Sequence, residues 1–242
     1  MATSEPVLTV GNTAKLYCLE RIAELASQAD ALRVVDLGAG DGRHFRELLR
    51  RHPNITYLGI EPSAAACAAA RASLPAGQAT IVQARAYEGE YGPADVVVSF
   101  SALDRVYHRD RYLRLVATTL APEGLAFVNY DAGHFRYPVL RDRAKNLVGP
   151  LLAPLGYEAW YQSFVKESRF RALVDGAGLE IREALSFNTS AKEIYRLVPE
   201  ERRDPYMRSW LEFELVMNRL VPSYTDSASR LFRTRNFVLA TR

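Results

Sequence analysis

The segment VVDLGAGDG at 34–42 carries a β-branched, apolar stretch straight into Gly38, Gly40 and Gly42. Glycine at such positions lets the backbone turn sharply and lets a ligand approach where a Cβ would collide. Nineteen residues beyond Gly42, at the end of the next apolar run, stands Glu61. Where the carboxyl ends of adjacent parallel strands lie side by side, a carboxylate in that place accepts hydrogen bonds from both hydroxyls of a ribose. Loop and acid together predict a site for a nucleoside-containing cofactor. The glycine spacing narrows the choice. A dinucleotide fingerprint, G-x-G-x-x-G, needs glycine at 43, where the chain has Arg43, and a Walker phosphate loop needs a Gly-Lys-Ser/Thr ending that the chain lacks.

The elements that must position these residues are read from apolar periodicity. Residues 13–29 place Leu16, Leu19, Ile22, Ala23 and Ala26 at helical spacing. Strands are expected at 32–37, 56–61, 79–84, 94–100 and 124–130, alternating with helices over 42–51, 63–74 and 109–120. Pro122-Glu123-Gly124 reads as a turn between the last of these helices and strands. The alternation predicts an α/β fold, a doubly wound and mostly parallel sheet covered by helices on both faces. After residue 130 the rhythm changes. Residues 136–166 and 189–230 carry further helical patterns, separated by a helix–strand pair at 167–187, and the chain ends in one more strand. Of 25 aromatic residues, 16 fall in 129–242, so the two helical stretches are expected to be cap insertions that build a pocket on a single domain spanning 1–242.

The spacing D-x-G-x-G-x-G with a downstream strand-terminal acid resembles the class I S-adenosylmethionine-dependent methyltransferases, over residues 10–187 plus the terminal strand. The resemblance implies a Rossmann-like sheet of seven strands whose last, antiparallel strand is FVLATR at 237–242. It also implies that Asp36, Gly38, Ala39 and Gly40 pack against the methionine part of the cofactor, that Glu61 holds the ribose, and that Pro62 lies against the adenine. The loop after the third strand commonly supplies an Asp to the adenine amino group. Here it reads Ala84-Arg85-Ala86, so adenine recognition there falls to the backbone or to another side chain. Phe100 and Ser101, ending the fourth strand, take the places whose backbone contacts the cofactor's amino-acid end.

A sulfonium already activates its methyl group, so the protein has to align a nucleophile, exclude water and, where needed, remove a proton. Candidate bases are Asp104 and His108 after the fourth strand and Asp131 and His134 after the fifth. His134 is preferred, because imidazole titrates near neutrality and the family's fifth-strand loop faces the methyl group. The alternative is a histidine that shapes the substrate pocket. Tyr17 reads either as a residue closing over the substrate or as a core aromatic. His44 and His52 read as structural or exposed. Phe135, Tyr137, Tyr157, Trp160, Tyr161 and Phe164 form either a wall for a flat or lipophilic substrate or the packing of extra helices. Arg136, Arg141 and Arg143 are placed to pair with a substrate carboxylate or to form a solvated face.

Composition limits the alternatives. A net charge of +3 is too small for phosphate-backbone binding to be the default, so no nucleic acid partner is expected. Cys18 and Cys67 match no metal-ligand spacing and read as buried thiols in a reducing compartment, and no metal is expected. The first residues lack a basic region followed by an apolar core, and the chain has no long uncharged apolar stretch, so a cytoplasmic protein without membrane association is expected, as monomer or homodimer. The expected reaction is methyl transfer from S-adenosylmethionine, leaving S-adenosylhomocysteine, to oxygen, nitrogen or carbon of a small aromatic or lipophilic molecule of natural-product type. Methylation of a protein or peptide side chain is the first alternative, to be told apart by an open groove in place of a closed cavity. The second is a cofactor-binding protein of this fold without methyl transfer, since the sequence contains no obligatory catalytic residue. A nicotinamide oxidoreductase ranks below both.

Overall fold

The computed structural model describes residues 7–9, 11–131, 147–155, 158, 161–188, 194–221 and 232–242; the side chains of residues 131, 188 and 233 lie outside that description. Helix α1 (Thr13–Gln28) starts where the Asn12 side chain accepts the Lys15 backbone N–H at 3.0 Å, which satisfies one of the unpaired donors of its first turn. There follow β1 (Leu32–Leu37), α2 (Arg46–Arg51), β2 (Ile55–Glu61), α3 (Ala64–Ser73), β3 (Ala79–Gln83), β4 (Ala94–Phe100), α4 (Arg109–Thr119) and β5 (Leu120–Asp131). The chain then gives α5 (Glu167–Gly176), β6 (Leu179–Asn188), α6 (Arg203–Leu220) and β7 (Phe232–Thr241).

The seven strands form one sheet in the order β3-β2-β1-β4-β5-β7-β6. Neighbours from β3 to β5 pair in parallel, and β7 inserts antiparallel between β5 and β6. Strand order reverses direction at β1 and β4, and in a doubly wound sheet the crevice beyond the carboxyl ends at that point is where ligands bind. Both faces are covered. Helices α1, α2, α3 and α6 pack with Val34, Val96, Val98 and Phe127 on one side, and α4 and α5 with Val35, Val97, Ala126 and Val128 on the other. Burial on both faces is why the central strands read as unbroken apolar runs.

Three local expectations change. Helix α2 begins at Arg46 because Gly42 sits at φ +70° and the Phe45 N–H turns back to its carbonyl at 3.0 Å, leaving 42–45 as turns. The expected turn at 122–124 lies inside β5: the strand already pairs at Leu120 with Ala94, and a register shift between Ala94 and Val96 absorbs the intervening residues. The last strand begins at Phe232 and pairs with β6 along its length.

Of the two helical stretches after β5, residues 147–152 are helical and continue into a 3-10 turn at Ala153–Leu155. Helix α6 packs on α1 and β6. Met207 and Leu211 join the α1 core, Thr13 donates to the buried Glu214 carboxylate, and the Asn218 amide bonds both the N–H and the carbonyl of Ser186 at 2.8 and 2.9 Å.

Helix α4 is pinned to the centre of the sheet by Tyr112, fully buried, whose hydroxyl lies 2.7 Å from the Leu37 carbonyl, to which it donates, and 2.7 Å from the Ser99 hydroxyl. Removing that hydroxyl strips a buried carbonyl of its donor, so Tyr112→Phe is expected to cost about 1–3 kcal/mol and to lower the melting temperature by roughly 2–10 °C. Thermal unfolding followed by circular dichroism measures it.

Candidate active site

The carboxyl ends of β1, β2 and β4 surround a cleft of about 700 Å³. Its floor is the glycine loop. The carbonyl of Ile60 on β2 accepts both the Gly38 N–H at 2.8 Å and the Ala39 N–H at 3.0 Å, which draws the chain leaving β1 across the end of β2. Gly38 is at φ +103°, and a Cβ there would come within 2.8 Å of the Ala102 side chain. Gly40, at φ +58°, differs: a Cβ there would meet no protein atom within 4 Å and would intrude only on whatever occupies the cleft.

Glu61 is held in place by this loop. One carboxylate oxygen accepts the Gly40 N–H at 3.0 Å and the other the Ser63 N–H at 2.9 Å. Each oxygen keeps lone-pair capacity for a further donor, since an ionised carboxylate accepts about four hydrogen bonds. Asp36 stands below, 3% exposed; one oxygen accepts the Tyr57 hydroxyl at 2.8 Å, and the other is buried with no partner among the described residues. Burial pushes its carboxyl up to about 7, against the opposing pull of the Tyr57 hydrogen bond and the Lys15 ammonium.

The α1 side of the cleft carries a cation. Lys15 Nζ is 3.0 Å from His44 Nε2, and His44 Nδ1 is 3.1 Å from the Thr9 hydroxyl. An ammonium only donates, so Nε2 is the acceptor and Nδ1 carries the ring proton toward Thr9. The same ammonium lies 5.8 Å from the Phe100 ring centroid.

The opposite rim is made by chain returning after β5. The Arg109 guanidinium donates to the Leu103 carbonyl at 2.9 Å and to the Ser163 carbonyl and hydroxyl at 2.7 Å each, and the Ser163 N–H donates to the Asp104 carbonyl at 2.9 Å. Tied down in this way, the returning strap places Glu158 and Tyr161 in the cleft wall. Glu158 accepts the Tyr87 hydroxyl, and Tyr161 meets Tyr107 edge-on with ring centroids 5.2 Å apart.

Of the residues singled out in the sequence, Asp36, Gly38, Ala39, Gly40, Glu61, Pro62, Arg85, Phe100 and Ser101 line this one cleft. Ala84 does not; its N–H is spent on the Glu61 carbonyl at 3.2 Å. The placement of Tyr17 over the substrate is corrected. Its ring lies 5.9 Å from Phe187 and its hydroxyl donates to Glu183 in the α1–β6 contact, because residue 17 is about 200° around the helix from the cleft-facing Lys15. Asp104 is buried in the turn after β4, and His108 sits beside the rim with Nε2 4.0 Å from Glu158. Phe164 is exposed, while Tyr161 is part of the cleft wall. Asp131 ends β5 with its side chain outside the description; His134, Phe135, Arg136, Tyr137, Arg141, Arg143, Tyr157 and Trp160 lie outside the described residues.

Sequence reading missed Lys15, Tyr87, Arg105 and Glu158 and took His44 as structural or exposed; all five line the cleft. The available signal was slight: Lys15 is one of only four lysines, and His44 follows the glycine loop by two residues. Among the described residues no cluster of three or more His, Cys, Asp or Glu has the arrangement to hold a metal ion, and no helix is long and apolar enough to cross a membrane.

The Asp36 carboxyl has a consequence for stability. Its native value near 7 lies above the ordinary one near 4, so between these limits the folded chain holds a proton that the unfolded chain has released. The resulting stabilisation is complete below pH of about 4 and is lost as pH rises toward about 7, with a slope of at most about 1.4 kcal/mol per pH unit. Urea unfolding across that window is expected to show a shallower loss of stability with rising pH in Asp36→Asn than in the wild-type protein.

The comparisons with known proteins agree with this geometry. A family model described as a methyltransferase domain matches residues 12–184, from α1 into β6. The trans-aconitate 2-methyltransferase of Azoarcus sp. (strain BH72) is 23% identical in an alignment of 231 positions that covers 88% of each chain. An S-adenosylmethionine-dependent methyltransferase from Mesorhizobium loti superposes with a TM-score of 0.59 at 18% identity, covering 93% of this chain and 97% of that one. A TehB-like methyltransferase from Corynebacterium glutamicum gives 0.57 at 13% identity, covering 93% and 88%. With the family model spanning more than half the chain and enclosing the glycine loop, Glu61 and the end of β4, this protein belongs to the methyltransferase-domain family and is an S-adenosylmethionine-dependent methyltransferase.

Proposed function

We propose that the acceptor is a small molecule, methylated at oxygen, nitrogen or carbon and held by an apolar or aromatic portion against the rim of the cleft. The observation that carries this reading is the composition of one cavity. It brings together a glycine whose missing Cβ leaves open space, a carboxylate oriented by two backbone N–H groups, and a wall containing Tyr87 and Tyr161. A volume of about 700 Å³ lies within the range of pockets that enclose a small ligand. A small-molecule acceptor is also what the name of the Azoarcus relative specifies for that enzyme.

The residues present fit the cofactor. Glu61 is assigned the ribose hydroxyls, Pro62 and the Arg85–Ala86 backbone the adenine, and Asp36, with its unpartnered buried oxygen, the cationic amino group together with the backbone of Phe100 and Ser101. When bound, the cofactor supplies an electrophilic methyl group on a sulfonium. The strap held by Arg109 then excludes water, and the tyrosines of the rim orient the acceptor. Where the acceptor must lose a proton, His134 beyond β5 or Asp131 at its end is assigned that role.

Calorimetry with S-adenosylhomocysteine tests the cofactor assignment. Wild-type protein is expected to bind in the micromolar range, and Glu61→Ala about tenfold to a hundredfold more weakly, the loss of a charge-assisted hydrogen bond. No binding by the wild type, or unchanged binding by Glu61→Ala, overturns it. For the acceptor, extracts are incubated with isotopically labelled methyl donor and analysed by mass spectrometry. Label in low-mass products supports the proposal, and label confined to proteins or peptides defeats it.

A further inference from the structure

Ser101 follows β4 at φ +55°, in the left-handed region that a residue with a Cβ rarely adopts. What holds it there is Asn129 on β5, the residue paired with Phe100 at the end of the β4–β5 ladder. The Ser101 N–H donates to both the carbonyl and the side-chain Oδ1 of Asn129, each at 3.0 Å, and the Ser101 hydroxyl is 3.5 Å from the same Oδ1.

The amide is an expensive way to fill this position. Asn129 is fully buried on the sheet face that Phe127 fills with an apolar ring, and its Nδ2 has no partner among the described residues. A buried, unpaired N–H costs stability that an apolar side chain of similar size would not. The return is the second acceptor for Ser101. Directly opposite, Asn236 on β7 donates to the Ala14 carbonyl of α1 at 3.0 Å, so the polar site is backed by two elements and cannot easily shift.

The turn that Asn129 fixes is part of the cleft wall. Ser101 and Ala102 both line it, and Ala102 presses on Gly38 so closely that a Cβ at Gly38 would approach to 2.8 Å. Relaxation of Ser101 to negative φ would swing Ala102 against or away from the glycine loop.

We infer that Asn129 is a positioning residue for the cleft: by holding Ser101 in the left-handed conformation, it sets the wall that receives the cofactor's amino-acid end. The inference rests on the cofactor assignment proposed above, and its test separates the two. S-adenosylhomocysteine and methylthioadenosine, which carries the nucleoside without the amino-acid end, are titrated against wild type, Asn129→Ala, Asn129→Ala/Ser101→Gly and Ser101→Val. Asn129→Ala is expected to bind S-adenosylhomocysteine about tenfold more weakly, with methylthioadenosine within about twofold of wild type. Glycine at 101 takes the left-handed conformation without a Cβ penalty, so the double variant is expected to regain most of the lost affinity. Ser101→Val keeps Asn129 but puts a β-branched residue where φ is positive, and is expected to reproduce the selective loss even if Asn129→Ala does not fold. Undiminished binding by Asn129→Ala or, where it does not fold, by Ser101→Val overturns the inference. So does equal loss of both ligands, or a double variant that folds and regains nothing. Absence of S-adenosylhomocysteine binding by the wild type instead defeats the underlying assignment.

Discussion

The carbonyl of Ile60 governs the geometry of the site. By accepting from both Gly38 and Ala39, it compels the chain leaving β1 to cross the end of β2 instead of continuing beyond the sheet. That crossing aims the Gly40 N–H at the Glu61 carboxylate, one residue past the same carbonyl. Loop and acid are therefore one unit. A parallel sheet allows this because the strand ends of β1 and β2 are in register, Leu37 opposite Ile60, so that whatever follows each strand meets at the same height.

The two sides of the cleft are built on different principles. The side proposed above to hold the cofactor is largely backbone, with glycines, amide donors and a strained serine turn beside the Asp36 and Glu61 carboxylates, all within a few residues of strand ends, where packing on both faces leaves little freedom. The rest of the wall, proposed above to face the acceptor, is made of side chains from separate elements: Lys15 from α1, which bonds His44, and Glu158 and Tyr161 from the strap, which bond Tyr87 and Ser163. Such a division suits a reaction in which one partner is always the same molecule and the other defines the individual enzyme. Rigid backbone serves the constant ligand, and exchangeable side chains serve the variable one.

Buried polar groups mark where the fold accepts a cost. Among the described residues Asp36 is buried with one oxygen unpaired, and Asn129 with an unpaired amide nitrogen; both stand near strand ends beside the cleft. Among the described residues Tyr130, Trp210 and Asn236 also keep a buried polar atom without a partner, whereas Tyr112 and the Asn218 amide on Ser186 are satisfied.

The strands β1 and β4, the helix α1, the parallel alternation and the meeting of the glycine loop with Glu61 in one cleft were legible from the residues alone, because each rests on local signals: an apolar run, a helical period, a glycine trio, an acid at a strand end. Apart from Tyr161, the opposite wall was not. Glu158 reaches the cleft by bonding Tyr87, 71 residues away in the chain, and no periodicity relates the two. Lys15 and Tyr17 share one helix, but only the packing of α1 against β6 and the glycine loop decides that the first faces the cleft and the second the core. The strain at Ser101 was equally invisible, since serine is an ordinary residue until a strand from elsewhere presents Asn129 to its N–H. Local backbone preference thus sufficed for the alternating elements and the glycine loop; the strand order and the side chains that complete the site were decided by contacts between distant segments, which exist only once the sheet has assembled.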